Sequence, residues 1–160
     1  MDYTAHYDSP LGDITLASDG MRLTGLWFNG QKHFGGTLGV RTSSSAQLPV
    51  FDETRHWLDS YFSGRKPDFT PPLLMQGTPF QRHVWEALRS LPYGQTVTYG
   101  ELARRLYIRS AQAVGGAVGR NPIAIIVPCH RVVGANGALI GYAAGLDRKR
   151  KLLQLEQEVR

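Results

Sequence analysis

The sequence predicts an α/β lobe followed by a mainly helical lobe that carries a winged helix-turn-helix. Three observations predict it. Residues 2–28 alternate short strand-like apolar runs with turn signals. Residues 65–77, with Pro67, Pro71 and Pro72, read as a linker. Beyond the linker, two short helical segments flank a tight turn, the arrangement of a helix-turn-helix. A chain of 160 residues fits one domain or two small lobes sharing an interface, and we divide it at 1–72 and 73–160.

Each element has a local reason. Ser9-Pro10-Leu11-Gly12 and Ser18-Asp19-Gly20 are turns, leaving Ile14-Thr15-Leu16 and Leu23 to Phe28 as antiparallel strands. Residues 29–46, rich in Gly and Ser, read as a surface loop. From Pro49 to Phe62, Val50, Phe51, Thr54, Trp57, Leu58, Tyr61 and Phe62 follow helical spacing, and Gly64 stops that helix. Thr78 caps the next helix, with Pro79 at its first position and Gln81 completing a capping box. Its expected buried stripe is Phe80, Val84, Leu88 and Leu91, and Pro92-Tyr93-Gly94 ends it. Gln95 to Thr98 is extended and precedes a brief helix over Gly100–Leu106. Ser110 opens a further helix that runs to Arg120, and a nearby strand pair would make the motif winged. Ile125-Ile126-Val127 has strand character, Ala135-Asn136-Gly137 is a turn, Ala138–Tyr142 is strand or coil, and Leu146–Gln157 is a final helix.

Hydrophobic residues make up 42% and charged residues 19%, so a folded core is expected and disorder is not. The net charge of +5 is concentrated in the last third, which suits a polyanionic partner and equally a solvated basic face. A single cysteine excludes an internal disulfide framework and a multi-cysteine zinc site, and it suits a reducing compartment. The start lacks a basic region leading into an apolar stretch, and no segment approaches the ~20 apolar residues of a membrane span. The expectation is a monomeric cytoplasmic protein with access to the chromosome, no membrane association and no metal.

That cysteine, Cys129, stands between Pro128 and His130-Arg131. Only the thiolate is a good nucleophile, and a neighbouring imidazole or guanidinium favours it. A buried structural thiol is the plainer reading. The surroundings decide between them. Pro92-Tyr93-Gly94, Thr98-Tyr99-Gly100-Glu101-Leu102-Ala103, Ala113-Val114-Gly115-Gly116-Ala117, Asn121-Pro122, Pro128-Cys129-His130-Arg131, Gly141-Tyr142, Gly145-Leu146, Leu152-Leu153 and Glu156 follow in order. This set resembles the O6-alkylguanine-DNA alkyltransferases (methylated-DNA–protein-cysteine methyltransferases) from about Thr78 to Glu156. The first lobe is similar only through its Ser-Pro-Leu-Gly turn and its strand-then-helix pattern.

The resemblance implies a ribonuclease H-like first lobe and a winged helix-turn-helix second lobe. It implies direct, stoichiometric and irreversible transfer of an alkyl group from O6 of guanine, and also O4 of thymine, to Cys129. The partner is double-stranded DNA containing O6-alkylguanine, bound through the minor groove with the base flipped out, and no cofactor is needed. His130 then acts on Cys129 through a water, and Glu156 orients the imidazole. Tyr99 protonates the leaving base and rotates its phosphate, and Lys149 polarises Tyr99. Asn121 braces a hinge, Tyr142, Val132 and Ala143 line the pocket, and the Val127 and Cys129 carbonyls accept from guanine's amine. Arg131 is a conformational lock. Ala111, Gln112, Ala113, Gly115, Gly116 and Arg120 meet DNA.

Plainer readings stand beside these: a solvated Glu156 and Lys149, a core-packed Tyr99, a surface ion pair at Arg131. The small residues Ala111, Ala113, Gly115, Gly116, Ala117 and Gly119 suit either a helix–helix contact or a narrow groove. A helix is ~10–12 Å across, whereas the minor groove is only about 6 Å wide. The chain departs from the family pattern at Gln112, where an arginine finger is usual, and at Ala144, where glycine is common. Tyr107-Ile108-Arg109 lacks the usual Gly/Pro turn, and Arg109 or Arg120 could compensate for Gln112. The rival readings are a cysteine-less alkylguanine-binding relative, a winged-helix regulator and a thiol hydrolase; Cys129 argues against the first, and Tyr99 with Glu156 against the second.

Overall fold

The computed structural model describes residues 1–44 and 47–158. In the first lobe, β1 (Asp2–Ser9) and β2 (Gly12–Ser18) form an antiparallel hairpin. Gly12 takes the turn's positive φ, +126°, and Ser9 Oγ closes it by donating to the Gly12 carbonyl at 2.6 Å. β3 (Leu23–Phe28) pairs antiparallel with β2, and β4 (Thr42–Ser43) lies parallel beside β1, giving the order β3-β2-β1-β4. β4 interrupts the stretch expected to be loop; Ser45 and Ala46 of that stretch lie outside the described residues. Helix α1 (Pro49–Phe62) packs on the sheet through Val50, Phe51, Thr54, Trp57, Leu58 and Tyr61, with Phe62 half-buried at its end.

The second lobe opens with α2 (Pro79–Arg89), whose Thr78–Gln81 capping box forms as expected. Its stripe is a correction. Phe80 is 40% exposed, and Trp85 is buried with Val84 and Leu88 instead. At 3.6 residues per turn Phe80 falls roughly 80° round the helix from Leu88, at the edge of a face that Trp85 widens on the other side. The Trp85 indole donates to the Ala117 carbonyl at 2.8 Å. α3 (Tyr99–Arg105) is capped by Thr98 and α4 (Ala111–Gly119) by Ser110. Between them Tyr107 adopts a positive φ of 57°, taking the conformation for which glycine is usual. β5 (Val97–Thr98) pairs parallel with β6 (Val132–Val133), and α5 (Leu146–Gln157) closes the fold. Residues 138–142 are coil.

The expected strand at Ile125-Ile126-Val127 is absent. These residues form a turn in which Ile125 has a φ of +69°. They are apolar because they are buried where the lobes meet, not because they are extended. The join is made by backbone: the Leu26 N–H donates to the Pro122 carbonyl at 2.8 Å, and the Leu26 carbonyl accepts from Ala124 at 3.0 Å. Arg148 adds a second tie, donating to the Leu11 carbonyl at 2.9 Å with its guanidinium over the Phe28 ring. No helix among the described residues is long and apolar enough to cross a membrane.

Candidate active site at the junction of the lobes

Cys129 opens a single 3-10 turn, Cys129–Arg131, immediately after Pro128. It is 6% exposed and lines a cavity of about 360 Å³. The turn sends consecutive side chains to different places. Cys129 joins the cavity; His130 and Arg131 point to a buried carboxylate behind it. His130 is fully buried, with Nε2 2.5 Å from Glu156 Oε2, while its Nδ1 has no hydrogen-bonding partner among the described residues. Because a carboxylate only accepts, the neutral imidazole carries its proton on Nε2 and leaves Nδ1 as the acceptor.

Glu156 is buried on α5 and surrounded by donors. Oε1 accepts from Arg131 Nε at 2.8 Å and from the Gly94 N–H at 3.0 Å. Oε2 accepts from His130, from the Tyr61 hydroxyl at 2.6 Å and from Arg131 Nη2 at 3.2 Å. Burial alone would raise its pKa, but the bonds and charges of His130 and Arg131 overcome burial and hold the carboxyl well below the usual range. For His130 burial wins, and the ring is held neutral below its ordinary value despite Glu156. Burial also pushes the Cys129 thiol up, against the opposing effects of an Asn121 hydrogen bond and the Lys149 charge. The resting group is therefore a thiol that needs a base.

On the cavity's other side Lys149 is fully buried, overturning the solvated reading. Its Nζ donates at 2.9 Å to the Ile140 and Gly141 carbonyls, and the Tyr99 hydroxyl donates to the same two at 3.3 Å. Lys149 lies 5.7 Å from the Tyr99 ring centroid. Burial lowers Lys149 to about 8 and raises Tyr99 to about 12, and a negative Cys129 raises Tyr99 further. Asn121, at the end of α4, donates Nδ2 to the Val127 carbonyl at 2.7 Å and accepts from the Ile123 N–H at 3.0 Å. It fixes the helix end to the turn bearing Cys129.

Tyr142, Ala143, Gly115, Gly116 and Arg120 line the cavity, as does Tyr99. Ala111, Gln112 and Ala113 are exposed along α4. Three expectations need correction. The Val127 carbonyl already accepts from Asn121 and from the Cys129 N–H at 2.8 Å, so both its lone pairs are used, whereas the Cys129 carbonyl accepts from Val132 with one lone pair and has a second. Val132 is fully buried in β6 and lies outside the cavity lining. Arg131 is neither on the surface nor in the cavity; it is buried against Glu156, and its Nη1 donates to the Leu91 carbonyl at 2.8 Å.

The first lobe supplies residues that the sequence reading did not single out for the site. Lys32 and His33 line the cavity, and the Lys32 N–H donates to the Ala143 carbonyl at 3.0 Å. Tyr61 reaches Glu156 from α1. The usable signal is a phenol in a mainly apolar stripe, since a buried hydroxyl needs a partner. The one grouping of metal-ligand side chains among the described residues, His6, Asp8 and Asp13, is exposed on the β1–β2 hairpin and shares no residue with the cavity.

Comparison with known proteins covers both lobes. Residues 3–75 match the family model for the 6-O-methylguanine DNA methyltransferase ribonuclease-like domain, and residues 79–158 match the model for its DNA-binding domain. The methylated-DNA–protein-cysteine methyltransferase of Methanosarcina acetivorans is 47% identical over 156 residues, 96% of this chain and 97% of that protein. The same-named protein of Mycobacterium leprae is 47% identical over 151 residues, covering 94% of this chain and 89% of that protein. Mycobacterium tuberculosis OGT, solved in complex with DNA, superposes with a TM-score of 0.87 at 44% identity, over 97% of this chain and 92% of that one. An O6-methylguanine DNA methyltransferase from Methanococcus jannaschii superposes at 0.70 with 26% identity, over 97% and 94%. With a matched model on each lobe and relatives similar over nearly its whole length, the chain belongs to the 6-O-methylguanine DNA methyltransferase family.

Proposed function

We propose that the protein repairs alkylated DNA by taking the alkyl group from O6 of guanine, and from O4 of thymine, onto Cys129, once per molecule. The observation that carries this is a thiol in a cavity between an exposed small-residue helix and a buried His130–Glu156 pair. On this reading His130 Nδ1 takes the Cys129 proton through a water, and Glu156 stabilises the imidazolium. The thiolate attacks the alkyl carbon, an S–C bond forms as the C–O6 bond breaks, and guanine leaves as an anion. Tyr99 gives that anion a proton and is itself reprotonated, so the thiol proton is in net terms transferred to guanine. Lys149 favours both the thiolate and the ionised phenol by its charge. The chain has no second cysteine to accept the group.

The target atom is inaccessible in a stacked duplex, so the nucleotide must enter the cavity extrahelically. We read α3, its turn and α4 as a helix-turn-helix, winged by the segment around β5 and β6, with α4 in the minor groove. Arg120 at the cavity edge and Gln112 on α4 meet the DNA around the vacated position. The protein acts as a monomer in the cytoplasm, where the chromosome is accessible.

Intact-mass measurement after incubation with O6-methylguanine duplex tests the reading. The expected outcome is a gain of one methyl, mapped to Cys129 and absent in Cys129→Ser. Restored guanine with unmodified protein would instead identify a hydrolase and overturn it.

A further inference from the structure

We propose that Tyr61, from the N-terminal lobe, is a positioning residue of the transfer relay: its hydroxyl holds Glu156 against His130 and sets how readily the imidazole accepts the Cys129 proton. The proposal rests on the reading that Cys129 is the alkyl acceptor.

Tyr61 is fully buried near the C-terminal end of α1, with its ring stacked on Trp57 at 5.3 Å and edge-on to the His130 ring at 6.4 Å. A phenylalanine could occupy the same slot between these rings. The hydroxyl is what distinguishes the residue, and it donates at 2.6 Å to Glu156 Oε2, the oxygen that holds His130 Nε2. It lies 3.4 Å from His130 Nε2 itself, too far to compete with the carboxylate as the ring's partner. Three donors thus share one carboxylate oxygen: His130, Tyr61 and Arg131. Each donor withdraws charge that the oxygen would otherwise direct at the imidazole. Tyr61 therefore weakens the carboxylate's pull on an imidazolium while keeping the carboxylate in place.

The charged and titratable groups facing His130 come from every element around it. Glu156 and Lys149 come from α5, Cys129 and Arg131 from its own turn, and Tyr61 from α1. Arg131 and Lys149 disfavour the imidazolium and Glu156 favours it. Removing the Tyr61 hydroxyl leaves Arg131 and Lys149 unchanged and concentrates Oε2 on His130. The imidazole then keeps a proton to higher pH. A protonated ring cannot act as base, so the acid limb of the transfer rate must move upward.

The test is the single-turnover rate of methyl transfer from O6-methylguanine duplex across pH 5 to 9. Wild type is compared with Tyr61→Phe and with 3-fluorotyrosine placed at position 61 alone. Tyr61→Phe should raise the acid-limb midpoint by roughly one unit, about a tenfold loss of rate below the limb. The fluorinated phenol is a stronger donor and should move the midpoint down. Midpoints equal to wild type in both proteins overturn the proposal, whatever happens to thermal stability. If Tyr61→Phe fails to fold, the fluorotyrosine protein decides alone, an unmoved midpoint being the contrary result. The two readings fail differently: wild type that never gains a methyl sinks the function, whereas wild type that does, beside unmoved variants, sinks only the role of Tyr61.

Discussion

At the residue scale, burial governs Cys129, and burial set against one carboxylate governs His130. Burial keeps the thiol protonated, and the His130 ring beside it in the chain is neutral, with Nε2 engaged and Nδ1 without a partner among the described residues. Cys129, His130 and Glu156 were legible because an ordered motif set carries them. Tyr61 was not, because its contacts to His130 and Glu156 span 69 and 95 positions of chain. Lys32 and His33 escaped for a similar reason: a Gly-rich stretch gives no hint that it folds over the second lobe's cavity. Ala144 is buried without a positive φ, so nothing in its backbone calls for glycine. Gln112 is exposed on α4 and can hydrogen-bond, but it lacks the charge and planar fork of arginine. Gln112→Arg should therefore speed single-turnover transfer from alkylated duplex. An equal or slower rate would mean that Arg120 or Arg109 already fills that part.

At the element scale, α4 separates its two small-residue readings. Val114, Ala117 and Val118 are buried, and this face meets α2. The opposite face is different. Among the described residues, a Cβ on Gly116 or Gly119 would find nothing within 4 Å, and one on Gly115 only the Tyr99 ring at 3.8 Å. Packing within the molecule therefore does not require glycine at 116. Gly116→Ala should stabilise the free protein by roughly 0.5–1 kcal/mol, the cost of glycine inside a helix. The same change should weaken binding to duplex DNA if this face enters a groove. Chemical denaturation and a DNA titration give the two signs; unchanged DNA affinity would remove α4 from the interface. Helix limits were readable from caps and apolar spacing, as at Thr78 and Ser110. The turn at Ile125 is not legible in the sequence, because an apolar run alone cannot distinguish a buried turn from a strand.

At the scale of the whole molecule, the proline-rich linker made two lobes legible, but only the structure reveals how they depend on each other. Leu26 with Pro122 and Ala124, Arg148 with Leu11, and Tyr61 with Glu156 all cross the junction. The last tie is titratable. Glu156 is depressed from an ordinary 4.5, so the stability it contributes is present above that value and is lost as pH falls below it. His130 is lowered from 6.5, so below 6.5 the unfolded chain takes up a proton that the folded ring resists. Both effects have the same sign. Denaturant midpoints should fall from about pH 6.5 downward and more steeply below about 4.5, and Glu156→Gln should flatten the lower part. A midpoint constant from pH 7 to 4 would contradict the burial of this pair.

The central claim, that Cys129 is consumed by the group it accepts, is tested most directly by extending the intact-mass measurement to excess O6-methylguanine duplex. The account predicts that guanine restored and protein methylated rise together and stop at one methyl per molecule, all of it on Cys129. Continued repair beyond that equivalence, or a methyl found elsewhere on the chain, would contradict it.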